Sequence, residues 1–328
     1  MSSPIHVHTR AELDALFLAR RNKYPHLSDL WIAVWCRHIH YVHDAISRNN
    51  SIEQRGSPFG DDNKTPLHIA VENDSADIVE ILLRHKAVVS TTDAKGRTPL
   101  HTAILHCKDE NLLAYQRICG IPCQTQESVD EYYRVCLLLL QYGADENALT
   151  TSGQTPLHLA AGMKLTEIAS LLLLYKSDVS ATDADGCTPL MYHLKLGYRG
   201  LMCVDRNTDM IRLLLLHGAK LQDSDDRGMT ALHWAVDSDS CEKIRFLILA
   251  GADEDAMNNE GLTAETYAIS TNAGLMQDTI QNACLDRDRV LAFSMGRHHH
   301  LGYDSVVNSL YPDDVMRMIA DYARRGSG

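Results

Sequence analysis

The fold class this sequence predicts is all-α, a solenoid of stacked helical repeats, and three observations predict it. The tetrad Thr65-Pro66-Leu67-His68 recurs as Thr98-Pro99-Leu100-His101 and Thr155-Pro156-Leu157-His158, with weaker copies starting at Thr188, Thr230 and Thr263. Successive threonines stand 33, 57, 33, 42 and 33 residues apart, so three intervals are equal and two exceed them, by 24 and 9. Each tetrad also sits in a similar frame, with glycine, alanine and leucine at fixed offsets in most copies. Self-similarity at such a period marks a repeat array and has to be read before any local structure.

Each element of the frame has a physical reason. Two residues before the threonine stands Asn63, Gly96, Gly153, Gly186, Gly228 or Gly261, residue types that tolerate positive φ, so a tight turn is expected. Five before it, Asp93, Asp183 and Asp225 can bond turn amides. The threonine is a suitable N-cap, and proline at the first helical position sacrifices no hydrogen bond. Five residues on, Ala70, Ala103, Ala160, Ala235 and Ala268 allow close helix contact. Pairs such as Leu82-Leu83 and Leu139-Leu140 mark a second helix, and Gly143-Ala144, Gly218-Ala219 and Gly251-Ala252 its end. Neither helix can bury its apolar stripe alone, so the units must stack.

This frame resembles the ankyrin repeat. Six copies cover roughly residues 60–285, with insertions near 107–130 and 197–206. The resemblance implies two antiparallel helices per repeat and a short β-hairpin finger projecting sideways. Before residue 60, Leu30 to Val34 with Val42 copies the Ala70-to-Val79 spacing at an offset of 37, so residues 1–59 are expected to hold a helix from Ala11 to Arg20, capped by Thr9 and Glu12, and a degenerate capping repeat. Terminal repeats are atypical because one face meets water.

Residues 286–328 leave the frame and read as a helical cap. Arg287 to Met295 is expected to be helical, and Pro312 starts a further helix with the stripe Val315, Met318, Ile319 and Tyr322. Leu310, Pro312, Val315, Met318 and Ile319 also resemble the opening of an F-box-like motif of the truncated PRANC kind, although Tyr311 splits the expected Leu-Pro pair. That resemblance implies docking on a Skp-type adaptor of a cullin ubiquitin ligase, and hence a substrate-recognition subunit as the alternative to a plain scaffold.

Composition narrows the function. The chain has 328 residues, 45% hydrophobic and 23% charged, values of an ordinary folded protein. A formal net charge of -12 argues against nucleic-acid or anionic-membrane binding, which need a basic face. Nine irregularly spaced cysteines and a start without a secretory leader read as reduced thiols in a cytoplasmic or nuclear protein. No apolar run approaches the ~18 residues needed to span a bilayer.

No motif points to catalysis or a cofactor: there is no phosphate loop, no H-E-x-x-H and no G-x-S-x-G. The recurrent histidines 68, 101, 158 and 233 are expected to hold the turn–helix junction. Cys36, His40 and His43 are expected to share a helical face, and Cys107, Cys119, Cys123 and Cys203 lie in or beside the insertions, but neither group has strong zinc spacing.

What remains is a partner-binding face, which the resemblance puts on the fingers and the exposed side of the first helices. The residue after each motif histidine belongs there: Ile69, Thr102, Leu159, Tyr192, Trp234 and Tyr267. Three aromatics in succession suit anchoring, or else they pack under neighbouring fingers. The adjoining fingers carry Asp185, Asp226 and Glu260, with Arg227 as the main basic exception. An acidic groove beside an aromatic stripe would suit a basic peptide or protein segment.

Overall fold

The structure is a computed structural model describing residues 10–48, 51–56, 63–107, 127–196, 208–271 and 274–294. Among these residues there are fifteen helices and no strand. After α1 (Arg10–Lys23) they come in pairs: α2 and α3 (Asp29–Trp35, Ile39–Ser47), α4 and α5 (Pro66–Glu72, Ala76–Arg84), α6 and α7 (Pro99–His106, Glu127–Gln141), α8 and α9 (Pro156–Gly162, Thr166–Leu174). Then follow α10 and α11 (Pro189–Lys195, Asp209–Leu216), α12 and α13 (Ala231–Asp237, Cys241–Leu249), and α14 and α15 (Ala264–Ser270, Gly274–Ser294). The chain divides into two compact units, Met1–Asp178 and Val179–Gly328. No helix among the described residues is long and apolar enough to cross a membrane, and their six cysteines are free.

In the first unit the motif histidines join one repeat to the next. The Thr98 amide donates to Nδ1 of His101 at 3.2 Å, and Nε2 of His101 donates to the Gln154 carbonyl, the residue before the next threonine, at 3.1 Å. His68 does the same, with the Thr65 amide at 3.4 Å and the Arg97 carbonyl at 3.1 Å. Each ring is fully buried and has to be neutral, because one nitrogen accepts while the other donates. Burial holds both imidazoles below the ordinary histidine range, His101 down to about 4.

The N-terminal pair keeps this device with a different residue. Ser28, 37 residues before Thr65, is the N-cap of α2 and accepts from the Trp31 amide at 3.1 Å. Trp31 stands where the histidine would, and its Nε1 donates to the Lys64 carbonyl at 3.4 Å. Arg37, nine residues after Ser28, has φ 57°, as Asp74 and Lys164 do nine after Thr65 and Thr155. Ala33 and Val42 are fully buried, like Ala70 and Val79. The expected capping repeat is therefore a full helix pair, and α1 packs on it, with Phe17 stacked on Tyr41 at 4.3 Å. The proposed cap Thr9 lies outside the described residues.

In the second unit His233 repeats the arrangement, from the Thr230 amide at 3.3 Å to the Leu262 carbonyl at 3.0 Å. Met191 replaces the imidazole in α10 and is fully buried. The last helix among the described residues, α15, runs unbroken from Gly274 to Ser294, so the expected limit of the repeats at residue 285 falls inside it. It buries Met276, Ile280 and Ala283.

The fingers differ from the expected β-hairpins. Among the described residues they contain isolated antiparallel bridges, Gly56 with Lys64, Ser224 with Thr230 and Met257 with Thr263. The reason lies in the residue five before each threonine. Asp225 Oδ1 accepts the amides of Arg227 and Met229 at 2.9 and 2.8 Å, taking donors that a ladder partner would otherwise meet. Asp93, Asp183 and Asn258 serve their turns in the same way, and the Thr150 hydroxyl stands in for repeat three.

Candidate partner-binding site

The fingers of the second unit hold one another by single main-chain bonds. The Asp226 amide donates to the Asp185 carbonyl at 3.1 Å, and the Asn259 amide to the Arg227 carbonyl at 3.0 Å. Gly186, at φ 77°, makes the first approach feasible: a Cβ there would lie 2.8 Å from the Asp226 amide nitrogen. Gly186→Ala is accordingly expected to cost about 1–3 kcal/mol and to separate these two fingers, read as a lowered urea midpoint and faster hydrogen exchange at Asp226.

Six acidic residues of these fingers fall into three groups. Asp183 and Asp225 serve their own turns. Asp185 and Glu254 are ion-paired: Lys195 Nζ lies 2.6 Å from Asp185, and Arg287 grips Glu254 through two 2.6 Å contacts. These cations hold both carboxyls below their usual range, against the opposing effect of burial. Asp226 and Glu260 are exposed, and among the described residues their carboxylates take part in no ion pair or side-chain hydrogen bond.

Trp234 lies beneath the fingers, not on them. It is 4% exposed, its Nε1 donates to Asp225 Oδ2 at 3.2 Å, and two cations lie over its ring, the Arg227 guanidinium at 4.7 Å and Lys195 Nζ at 5.4 Å from the centroid. As a surface anchor it is therefore corrected: the turn carboxylate pins the indole and the basic side chains cover it. Leu159, 5% exposed, is corrected likewise, since its side chain is spent on the core. Tyr192 and Tyr267 are half-buried. Burial pushes the Cys187 thiol, 3.9 Å from Asp225 Oδ2, up to about 12, with Asp183 adding to the rise.

One cleft emerges where the fifth finger, the sixth finger and α14 meet. Asp226, Arg227, Met229, Asn258, Asn259, Glu260 and Tyr267 line a space of about 230 Å³. The Tyr267 ring is set edge-on to His233 at 6.1 Å, and its hydroxyl donates to Asp237 at 3.1 Å. The amide of Asn258, itself fixed by its turn, donates to the Met229 sulfur at 3.5 Å. Arg227 reaches back towards Asp225, 3.9 Å away. Sequence reading brought Asp226, Arg227, Glu260 and Tyr267 to this face but missed Met229, Asn258 and Lys195. Asn258 could have been found, because it occupies the turn-aspartate position.

Other candidates fare differently. Cys36 caps α2 and lies outside α3, which carries His40 and His43, because Arg37 turns the chain between them. No group of three metal-binding side chains occurs among the described residues. Cys119, Cys123 and Cys203 lie outside the described residues, as do Leu310, Pro312, Val315, Met318 and Ile319.

Comparison with known proteins places this geometry. A family described as ankyrin repeats (3 copies) matches residues 30–116, 128–204 and 197–258. The nuclear factor NF-kappa-B p105 subunit of Gallus gallus is 35% identical over 173 residues, 48% of this chain and 17% of that protein. The B-cell lymphoma 3 protein homolog of Mus musculus is 30% identical over 173 residues, 52% of this chain and 32% of that protein. The chain thus matches less than a third of either relative's length. The crystal structure of the ankyrin repeat domain of Bcl-3, described as a unique member of the IkappaB protein family, superposes with a TM-score of 0.59 at 24% identity, over 78% of this chain and 98% of that one. At that identity the likeness speaks to the fold alone.

Proposed function

This chain belongs to the ankyrin-repeat family, and from that premise we propose that it is a non-catalytic protein-interaction scaffold whose partner binds along the fingers of repeats four to six. The observation that carries the reading is the contrast between used and unused charge on these fingers. The carboxylates of Asp185 and Glu254 are neutralised within the chain, whereas those of Asp226 and Glu260 face solvent beside a formed cleft. Free charge at a structured surface steers association and fixes register. It favours a partner segment of basic character. A cytoplasmic or nuclear setting belongs to the same reading, and the name of the nuclear factor relative agrees with it.

The test is site-directed photocrosslinking of the full chain in cells. A benzoyl-phenylalanine at Ala184 or Asn259, both exposed on finger tips, is expected to capture a discrete protein. The same probe at Ser170, exposed on α9, is expected not to. Capture from Ser170 with none from either tip would place the interaction elsewhere and end the reading.

A further inference from the structure

We propose that the cleft between the fifth and sixth fingers is a subsite for one arginine side chain of the partner, an inference that rests on the scaffold reading and narrows it. The floor is apolar and fixed: the Tyr267 ring is held by His233 and Asp237, and the Met229 sulfur by Asn258. Such a floor receives the methylenes of a long basic side chain and the flat face of its head group. The rim carries Asp226 and Glu260, whose carboxylates are unengaged among the described residues. Arg227 on the same rim would repel an incoming cation, but it is turned towards the Asp225 carboxylate and the Trp234 ring, so its charge is met inside the chain. Two carboxylates remain uncompensated around a ring-floored space of about 230 Å³. Lysine would satisfy the charge, but a guanidinium alone can lie on Tyr267 and meet two carboxylates with separate N–H groups. The floor of the cleft is formed by side chains already held in place, so occupation demands no rearrangement of the fingers.

The experiment is fluorescence anisotropy of the full chain with a labelled tetra-arginine peptide. Tetra-citrulline serves as the neutral probe of equal shape. Tetra-arginine is expected to bind and tetra-citrulline not, with binding weakened at least tenfold in the double variant Asp226→Asn/Glu260→Gln. A control pair in the first unit, Glu146→Gln/Glu167→Gln, removes the same formal charge and is expected to bind as the parent does. Both pairs are outside the core, and circular dichroism melts check that they fold. Equal affinity of parent and Asp226→Asn/Glu260→Gln overturns the subsite, as does equal binding of citrulline or no binding of tetra-arginine. In each of those outcomes photocrosslinking from Ala184 and Asn259 still decides the scaffold reading, because it does not depend on which side chain enters the cleft.

Discussion

Replacing His101 by alanine is expected to lower the unfolding free energy by about 3–5 kcal/mol. The ring is fully buried and bonds both its own repeat and the next one. Its removal leaves the Thr98 amide without an acceptor and takes one of two donors from the Gln154 carbonyl, which keeps the Thr150 amide at 3.0 Å. Each buried polar group left unmet costs about 1–3 kcal/mol, and the vacated volume adds a packing loss. His106, five residues on, is the natural comparison, since its side chain is 42% exposed and its ion pair with Glu72 is a long one, at 3.6 Å. His106→Ala should cost less than about 1 kcal/mol. Urea unfolding followed by circular dichroism at pH 7.5 measures both, and equal midpoints for the two variants would refute the structural role given to the motif histidines.

The second large effect is acid sensitivity of folding. Burial lowers the pKa of His68, His101 and His233 in the folded chain, His101 to about 4, whereas the unfolded chain takes up protons at ordinary histidine values. Below about pH 6.5 the unfolded state therefore binds more protons than the folded one. Stability falls as pH drops through that value and stops falling on this account near pH 4, where folded His101 also protonates. For His101 alone the loss across the window is about 3 kcal/mol. The carboxylates act lower. Asp93 and Glu72 have folded pKa values held down by Arg97 and by His106 and Lys64, against burial, so their share is lost only as pH falls further. Urea midpoints at pH 7.5, 6.5, 5.5 and 4.5 should decline in order, and His101→Ala should decline less steeply than the parent. A flat profile in the parent would mean that the rings are not held neutral.

The repeat frame could be read from the sequence because it rests on local chemistry. A turn carboxylate, a positive-φ residue, a capping threonine and a proline impose the same conformation wherever they recur together. The N-terminal pair was visible only through Ala33 and Val42, because Ser28 and Trp31 perform the cap and the junction bond with other atoms. Exposure at the groove positions was not readable. Trp234 and Tyr267 occupy the same register, yet one is covered and the other lines a cleft, and the difference comes from Arg227 and Lys195, which pack over the indole. The cleft is likewise assembled from residues 29 to 38 apart, Met229 with Asn258 and Met229 with Tyr267. No local pattern records that meeting.

The indole at Trp31 also sets a limit on how acid can loosen this protein. An indole nitrogen gives up its lone pair to the ring and takes on no proton in water, and a thioether such as Met191 takes on none either. The junction built at residue 31 is thus blind to acidification, whereas those at 68, 101 and 233 are sensitive to it. Mild acid should therefore loosen the bonds made by His68, His101 and His233 before the one made by Trp31.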